Sequence, residues 1–332
     1  MKQKKIDSVF IGGSAGSLRP LREILAALPE TFDAAIFVCL HRAHLNITTI
    51  ATLLRPHISL PITDAEENEP IKRGRVYVAS SDHHMMICAE QIHMRRGAHE
   101  NNFRPAIDPL MRSAAVYRGT RAIGVVLSGL MDDGAVGAKA LANVGGKILV
   151  QDPLEADYPD MPTAVLDIVA EAECLTIQNI SARLQELVGQ DAEPTVPVPW
   201  RIGVELKIAS MEGNTVSTEE RLGELTPYNC PCCNGVLWEI DDPDYIRYRC
   251  HTGHAYTAKT LNAAQEKALD EGLWSALRAH KGRAELLRNL ADRASGETSK
   301  KLLEQRMKKI EEDADRLEGI IEGRKLEAYT KS

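Results

Sequence analysis

Three short apolar runs, Ser8-Val9-Phe10-Ile11, Ile36-Phe37-Val38-Cys39-Leu40 and Ile123-Gly124-Val125-Val126-Leu127, constrain this chain most. They carry no polar alternation. A strand that is apolar at successive positions must be covered on both faces, which is the situation of a parallel sheet between helices. The intervening segments supply the helices. Leu21, Ile24, Leu25 and Leu28 recur at three- and four-residue spacing in Leu18 to Leu28, and Ile47 to Leu54, Pro109 to Tyr117 and Gly137 to Val144 also read as helical. Lys147-Ile148-Leu149-Val150 is a further strand. Val76-Tyr77-Val78 and Met85-Met86-Ile87 read as an extended hairpin. The expected fold class is α/β: a doubly wound, mostly parallel sheet with helices on both faces.

That pattern covers 1–190. Residues 191–200 follow as a stiff linker rich in Pro194, Pro197 and Pro199. The stretch 201–260 holds a cysteine cluster, and 261–332 is a charged helical tail. There Leu303, Met307, Ile310, Ala314, Leu317 and Ile321 form a four-three apolar seam, short for a coiled coil and suited to a helical hairpin. The 332 residues carry a net charge of -7, and a chain that lives on a phosphate backbone is usually basic, so nucleic acid is not an expected partner. The apolar runs fall far short of the roughly 20 residues of a membrane span, so no integral membrane segment is expected. The N-terminus shows no secretory h-region, and the expected compartment is cytoplasmic.

Gly12-Gly13-Ser14-Ala15-Gly16-Ser17 stands where the first strand ends and the first helix begins. Such a turn often cradles phosphate. A dinucleotide fingerprint wants Gly where Ser14 and Ser17 stand, and a P-loop wants a Gly-Lys-Ser/Thr ending that is absent here. Failure of both strengthens Ser14 as a nucleophile presented above the carboxyl edge of the sheet. A serine hydroxyl needs a base. His41 directly follows the second strand at the same edge, with His44 as its competitor. A carboxylate from a third strand end would orient the imidazole, and Asp132 and Asp133 both follow Ile123 to Leu127. Either could instead cap the next helix, and physics alone does not separate them.

Taken together, Gly12-Gly13-Ser14-Ala15-Gly16, Leu40-His41-Arg42 and Leu127-Ser128-Gly129-Leu130-Met131-Asp132-Asp133-Gly134 resemble the catalytic domain of chemotaxis-type protein-glutamate methylesterases. Phe103-Arg104-Pro105-Ala106-Ile107-Asp108-Pro109-Leu110, Gln151-Asp152-Pro153 and Asp160-Met161-Pro162-Thr163-Ala164 are similar to further segments of that family. The resemblance implies Ser14 as nucleophile, His41 as base, Asp133 as orienting carboxylate, and an oxyanion-binding N–H near Leu130. It implies hydrolysis of glutamate γ-methyl esters on a methylated receptor or other signalling protein, with glutamine deamidation as a second activity and no cofactor for catalysis. Two departures stand out. Ala15 replaces a common Thr, and Met131 replaces the second Gly of a Gly-Met-Gly turn. The chemotaxis enzyme usually carries an N-terminal receiver domain. Here the first strand begins within ten residues, so a stand-alone form is expected, regulated through the tail or by another protein.

Of the seven Cys, four crowd between Cys230 and Cys250, which reads as a metal site rather than a disulfide framework. Cys230 and Cys233 have C-x-x-C spacing, with Cys232 spare, and Cys250 pairs with His251 or His254. The segment resembles the zinc-ribbon-like tail of some stand-alone methylesterase-like proteins, which implies a structural Zn on Cys230, Cys233, Cys250 and His254. A nucleic-acid-binding ribbon is disfavoured because Asp241, Asp242 and Asp244 offset Arg247 and Arg249. The main alternative to the enzyme is a catalytically inactive scaffold in a signalling complex, and a further one is a zinc-ribbon binding module. The helical tail is a candidate surface for a regulatory partner.

Overall fold

In the first strand Val9 and Ile11 face one side and Phe10 the other, and all three are buried, so this strand has no solvent face. The computed structural model describes residues 4–41, 48–211, 223–240 and 245–330. Among these, seven strands form one sheet: β1 (Ser8–Gly13), β2 (Ala35–Leu40), β3 (Ile62–Asp64), β4 (Arg75–Val78), β7 (Ala122–Val126), β8 (Lys147–Gln151) and β9 (Glu173–Leu175). The order is β3-β4-β2-β1-β7-β8-β9, and each neighbouring pair is parallel. The expected doubly wound sheet is therefore present. From β1 the chain builds outward on one side through β2, then crosses to the other through β7. The crevice at the carboxyl ends of β1, β2 and β7 is the topological switch point, where open α/β sheets bind ligands.

Both faces are packed. Helices α1 (Leu18–Ala26), α2 (Ile50–Leu54) and α6 (Ile177–Leu187) bury Leu21, Ile24, Ile50, Ile180 and Leu184 against the face of Val9 and Ile11. On the other face, α3 (Ile107–Tyr117), α4 (Ala135–Asn143) and α5 (Asp160–Ile168) bury Leu110, Leu141 and Met161. There Phe10, Phe37 and Tyr77 stack across β1, β2 and β4 at 4.8 and 5.5 Å. Among the described residues no helix is long and apolar enough to cross a membrane.

One expectation fails. Val76 to Val78 lies in β4 of the parallel sheet, and Met85 to Ile87 lies in β5 (His84–Cys88), which pairs antiparallel with β6 (Gln91–Arg95). The two-residue turn Ala89-Glu90, with Ala89 at φ 51°, closes that hairpin, whereas the five residues between β4 and β5 make no tight turn.

Beyond α7 (Trp200–Ala209) a second sheet, entirely antiparallel, is built from β10 (Gly223–Asn229), β11 (Val236–Ile240), β12 (Arg247–Cys250) and β13 (Ala255–Thr257). It is joined to the parallel sheet's helices by buried charge. Arg247 of β12 makes a two-pronged pair with Glu205 of α7 at 2.7 and 2.9 Å. Arg249 reaches Glu100 at 3.1 Å and Glu205 at 3.3 Å, and Arg112 of α3 binds Glu100. Residues up to Leu261 form one compact unit and residues from Asn262 onward another. The second unit is a hairpin of α8 (Ala258–Asp292), whose first turn belongs to the first unit, and α9 (Glu297–Thr330). Leu277, Ala314 and Ile321 are buried in it against Leu273, Trp274 and Leu317, and Lys281 pairs with Glu318 across it.

Removing one partner of a buried, hydrogen-bonded ion pair strands the other charge, at a typical cost of about 3–5 kcal/mol. Glu205→Gln is expected to lower the unfolding free energy by about that amount in urea titrations at pH 7. Burial alone would raise the Glu205 carboxyl, but Arg247, Arg112 and Arg249 hold it well below the usual carboxylate range. Its folded value is depressed, so its contribution is complete above the unfolded pKa, near 4.3, and is lost as pH falls toward the folded value. The variant should accordingly show a shallower loss of stability on acidification than the parent.

Candidate active site

The Gly-rich turn brings Ser14 to the carboxyl end of β1. Its N–H donates to Ser128 O at 2.9 Å, and its carbonyl accepts from the Ser17 N–H at 3.1 Å as α1 begins. Gly16 sits at φ +75°, and a Cβ there would lie 2.7 Å from Ser128 Oγ, so the turn closes on the neighbouring loop only with glycine. Gly129 faces Ser14 itself: a Cβ on it would stand 2.8 Å from Ser14 Cβ and 2.1 Å from Met161 Sδ. Gln151 Oε1 accepts from the Ser128 N–H at 2.9 Å, and the Met161 N–H donates to Gly129 O at 3.0 Å. The segments around Gln151 and Met161 therefore converge on the loop that flanks Ser14.

His41 follows β2, and its N–H continues the ladder to Gly13 O at 3.1 Å. Its Nδ1 lies 3.1 Å from Ser14 Oγ and its Nε2 2.7 Å from Asp133 Oδ2. Phe103 stacks on the imidazole, with ring centroids 3.6 Å apart and planes 9° from parallel. Ser14, His41 and Asp133 thus form one hydrogen-bonded chain at the switch point. His44 lies outside the described residues, as do Asp241, Asp242 and Asp244.

The two adjacent aspartates face opposite ways. Asp133 Oδ2 also accepts from the Ile107 N–H at 2.7 Å, and its Oδ1 accepts from Asn101 Nδ2 at 2.8 Å and the Asp108 N–H at 3.3 Å. Ile107 and Asp108 are the first residues of α3, whose exposed N–H groups and dipole favour an anion. Burial pushes the Asp133 carboxyl up, but the His41 hydrogen bond and charge, with the Ile107 and Asn101 donors, outweigh it and hold Asp133 below its ordinary value. Asp132 instead accepts from Tyr245 Oη at 2.9 Å and Thr257 Oγ1 at 3.0 Å. Neither side chain caps α4. That role falls to Asp108, whose Oδ1 accepts the Gly134 and Gly137 N–H groups at 3.0 and 2.7 Å.

Asn101, Phe103 and Asp108 were not singled out as site residues by sequence. Asp108 had a signal, the segment from Phe103 to Leu110. Phe103 opened the same segment without a role of its own, and Asn101 had none beyond adjacency to it. Met131 adopts φ 69°, so the loop takes the left-handed turn suited to glycine although a methionine occupies it, a conformation that costs roughly 1–2 kcal/mol.

In the antiparallel sheet, Cys230, Cys233, Cys250 and His254 place their ligand atoms within 4.8 Å of one another. Cys250 Sγ lies 3.6 Å from Cys233 Sγ and 3.4 Å from His254 Nδ1, and Cys230 Sγ lies 3.7 Å from His254 Nδ1. A tetrahedron with metal–sulfur bonds of roughly 2.3 Å and a metal–nitrogen bond of roughly 2.0 Å has edges near those lengths. The donor set fits zinc. Cys232 and His251 are exposed and lie outside the cluster.

The fold and this site define an α/β protein with a serine–histidine–carboxylate chain at the sheet's switch point. Residues 9–184 match the family model for CheB methylesterase. A protein-glutamate methylesterase/protein-glutamine glutaminase of Caulobacter vibrioides is 37% identical over 173 residues, 50% of each chain. One from Anaeromyxobacter dehalogenans is 32% identical over 183 residues, 55% of this chain and 54% of that one. The crystal structure of the Thermotoga maritima CheB methylesterase catalytic domain is similar at TM-score 0.54 and 30% identity, covering 56% of this chain and all of that one. This chain belongs to the CheB methylesterase family. It spans about half the length of the curated relatives named here.

Burial and then the charge of Asp133 push the Asp108 carboxyl up to about 7. A raised folded value means that this group favours the fold most at acid pH and withdraws that support as pH rises toward 7. Carbon-13 shift titration of the side-chain carboxyls should show Asp108 changing ionisation near neutrality, and a midpoint near 4 would refute this.

Proposed function

We propose that this chain hydrolyses glutamate γ-methyl esters on a methylated signalling protein, releasing methanol. The observation that carries the proposal is the Ser14–His41–Asp133 hydrogen-bonded chain at one end of a cavity of about 850 Å³. Asp133 accepts from Nε2–H, so Nδ1 is the basic nitrogen and faces the Ser14 hydroxyl. Nδ1 takes the Ser14 proton as Oγ bonds to the ester carbonyl carbon. The Gly129 and Met131 amides are engaged by Tyr158 O and the Asp160 carboxylate, and the Leu130 amide between them is assigned to the developing oxyanion. The imidazolium then passes its proton to the methoxy oxygen, the C–O bond breaks, and methanol leaves. Water deprotonated by His41 attacks the acyl-enzyme, releasing glutamate and restoring Ser14 Oγ–H. A glutamine amide can enter the same route with ammonia as the leaving group, in keeping with the relatives' double name.

Arg19 and Arg22 from α1, His57, and the apolar Leu18 and Leu53 line the cavity. A segment bearing glutamyl esters becomes acidic as it is hydrolysed, and a lining with two arginines against one carboxylate, Asp157, among apolar side chains suits an amphipathic acidic helix. The cysteine cluster is assigned to a structural zinc held by Cys230, Cys233, Cys250 and His254, which would tie β12 and β13 to the turn after β10 when bound.

Ser14→Ala should abolish methanol release from membranes carrying methylated receptors, and full release by that variant would defeat the proposal. Elemental analysis of protein purified without chelator should find one zinc per chain, and Cys250→Ser should lose it.

A further inference from the structure

Asn101 holds three parts of the first unit in one grip. Its Nδ2 donates to Asp133 Oδ1 at 2.8 Å and to Asp108 Oδ2 at 2.9 Å. Its Oδ1 accepts from the Thr257 N–H and from Thr260 Oγ1, each at 3.2 Å. The Asn101 N–H donates to Ala255 O at 2.8 Å, and the Ala255 N–H donates to His99 O at 3.2 Å, so β13 meets this loop in a single parallel bridge between Glu100 and Ala255. Asn101 is only 3% exposed and stands at φ 51°, a left-handed conformation that Asn tolerates.

We propose that Asn101 is a positioning residue for Asp133 and that β13 with the following turn sets its amide. An amide has one acceptor and one donor end. The two donors at Thr257 and Thr260 take the oxygen, which leaves both N–H bonds for the two carboxylates. A flipped amide would set oxygen against the ionised Asp133 carboxylate and nitrogen against the Thr257 N–H. The antiparallel sheet therefore fixes the orientation of the group that holds Asp133, and through Asp133 the tautomer and plane of His41. Asp132 is held by Thr257 of β13 and by Tyr245 just ahead of β12. The Asp132–Asp133 loop is gripped from both sides. In the absence of Asn101, the donor left to Asp133 Oδ1 among the described residues is the Asp108 N–H at 3.3 Å.

This inference rests on the catalytic reading of Ser14, His41 and Asp133, and the experiment separates the two. Methanol release, the rate of Ser14 labelling by a fluorophosphonate, zinc content and thermal melting are compared for the full chain, Ser14→Ala, Asn101→Ala and Thr260→Val. A misplacement on the scale of an ångström costs up to about 100-fold. Asn101→Ala should lose about 10- to 100-fold in kcat with KM little changed. Its labelling rate should fall in parallel while zinc stays bound. Thr260→Val, which leaves Asn101 in place and removes the hydroxyl that donates to its oxygen and accepts from the Thr257 N–H, should shift both rates the same way by less. A residue that served packing alone would lower the melting temperature and leave the labelling rate of the folded protein intact, and that result overturns the inference. Should Asn101→Ala fail to fold, unchanged rates in Thr260→Val overturn it instead. A parent chain without methanol release, or Ser14→Ala with full release, defeats the functional reading. The labelling rates still decide the role of Asn101.

Discussion

The N-termini of α3 and α4 exchange carboxylates, and much of the site depends on that exchange. Asp133, just ahead of α4, accepts the first two N–H groups of α3. Asp108, in the first turn of α3, accepts N–H groups at the start of α4. Each helix supplies the anion that satisfies the other's unpaired donors. Two buried carboxylates this close repel, and the electrostatic outcome is unequal: Asp133 is held ionised by His41 and the α3 amides, while Asp108 is driven toward the neutral form. Asn101 stands between them and donates to both. The charge that faces His41 is thereby kept on Asp133, where the imidazole needs it.

The parallel sheet was legible because its signal is local. Val9, Phe10 and Ile11 are buried on alternating faces, as are Ile36, Phe37 and Val38, and a chain with no polar position to spare for solvent has few other ways to fold. The same reasoning placed Ser14 and His41, because strand ends are readable and the carboxyl edge of such a sheet is where side chains converge. It failed for the β5–β6 hairpin. Gln91, His93 and Arg95 are solvent-accessible to varying degrees and make β6 read as polar loop, so the apolar β5 was assigned to the nearest apolar neighbour in sequence.

Adjacent aspartates were a different kind of difficulty. Both follow β7, and nothing within ten residues distinguishes them. What separates Asp132 from Asp133 is the partner each meets: α3 and His41 for one, Tyr245 and Thr257 for the other, the latter pair more than a hundred residues downstream. Asn101 was invisible for the same reason, since its acceptor end is satisfied 156 and 159 residues away. Local pattern reports which residues reach the sheet edge. It carries no information about which long-range donor closes a polar network, and the chemistry of this site is decided by such donors.

The family match ends at residue 184, yet the polar network that surrounds the site does not end there. Glu100 and Arg112 lie within the matched region, but Glu205 and Arg249 complete their charge balance from beyond it. Asp132 lies within it too, and its hydroxyl donors are Thr257 of β13 and Tyr245 just ahead of β12. Buried charges stripped of such partners are destabilising rather than neutral. The sheet of β10 to β13 therefore belongs to the interior electrostatics of the α/β unit, and its strand β13 supplies the Thr257 N–H to Asn101. A segment that resembles a zinc-ribbon-like tail in sequence supplies, in three dimensions, hydrogen-bond partners to Asn101 and Asp132 beside the site.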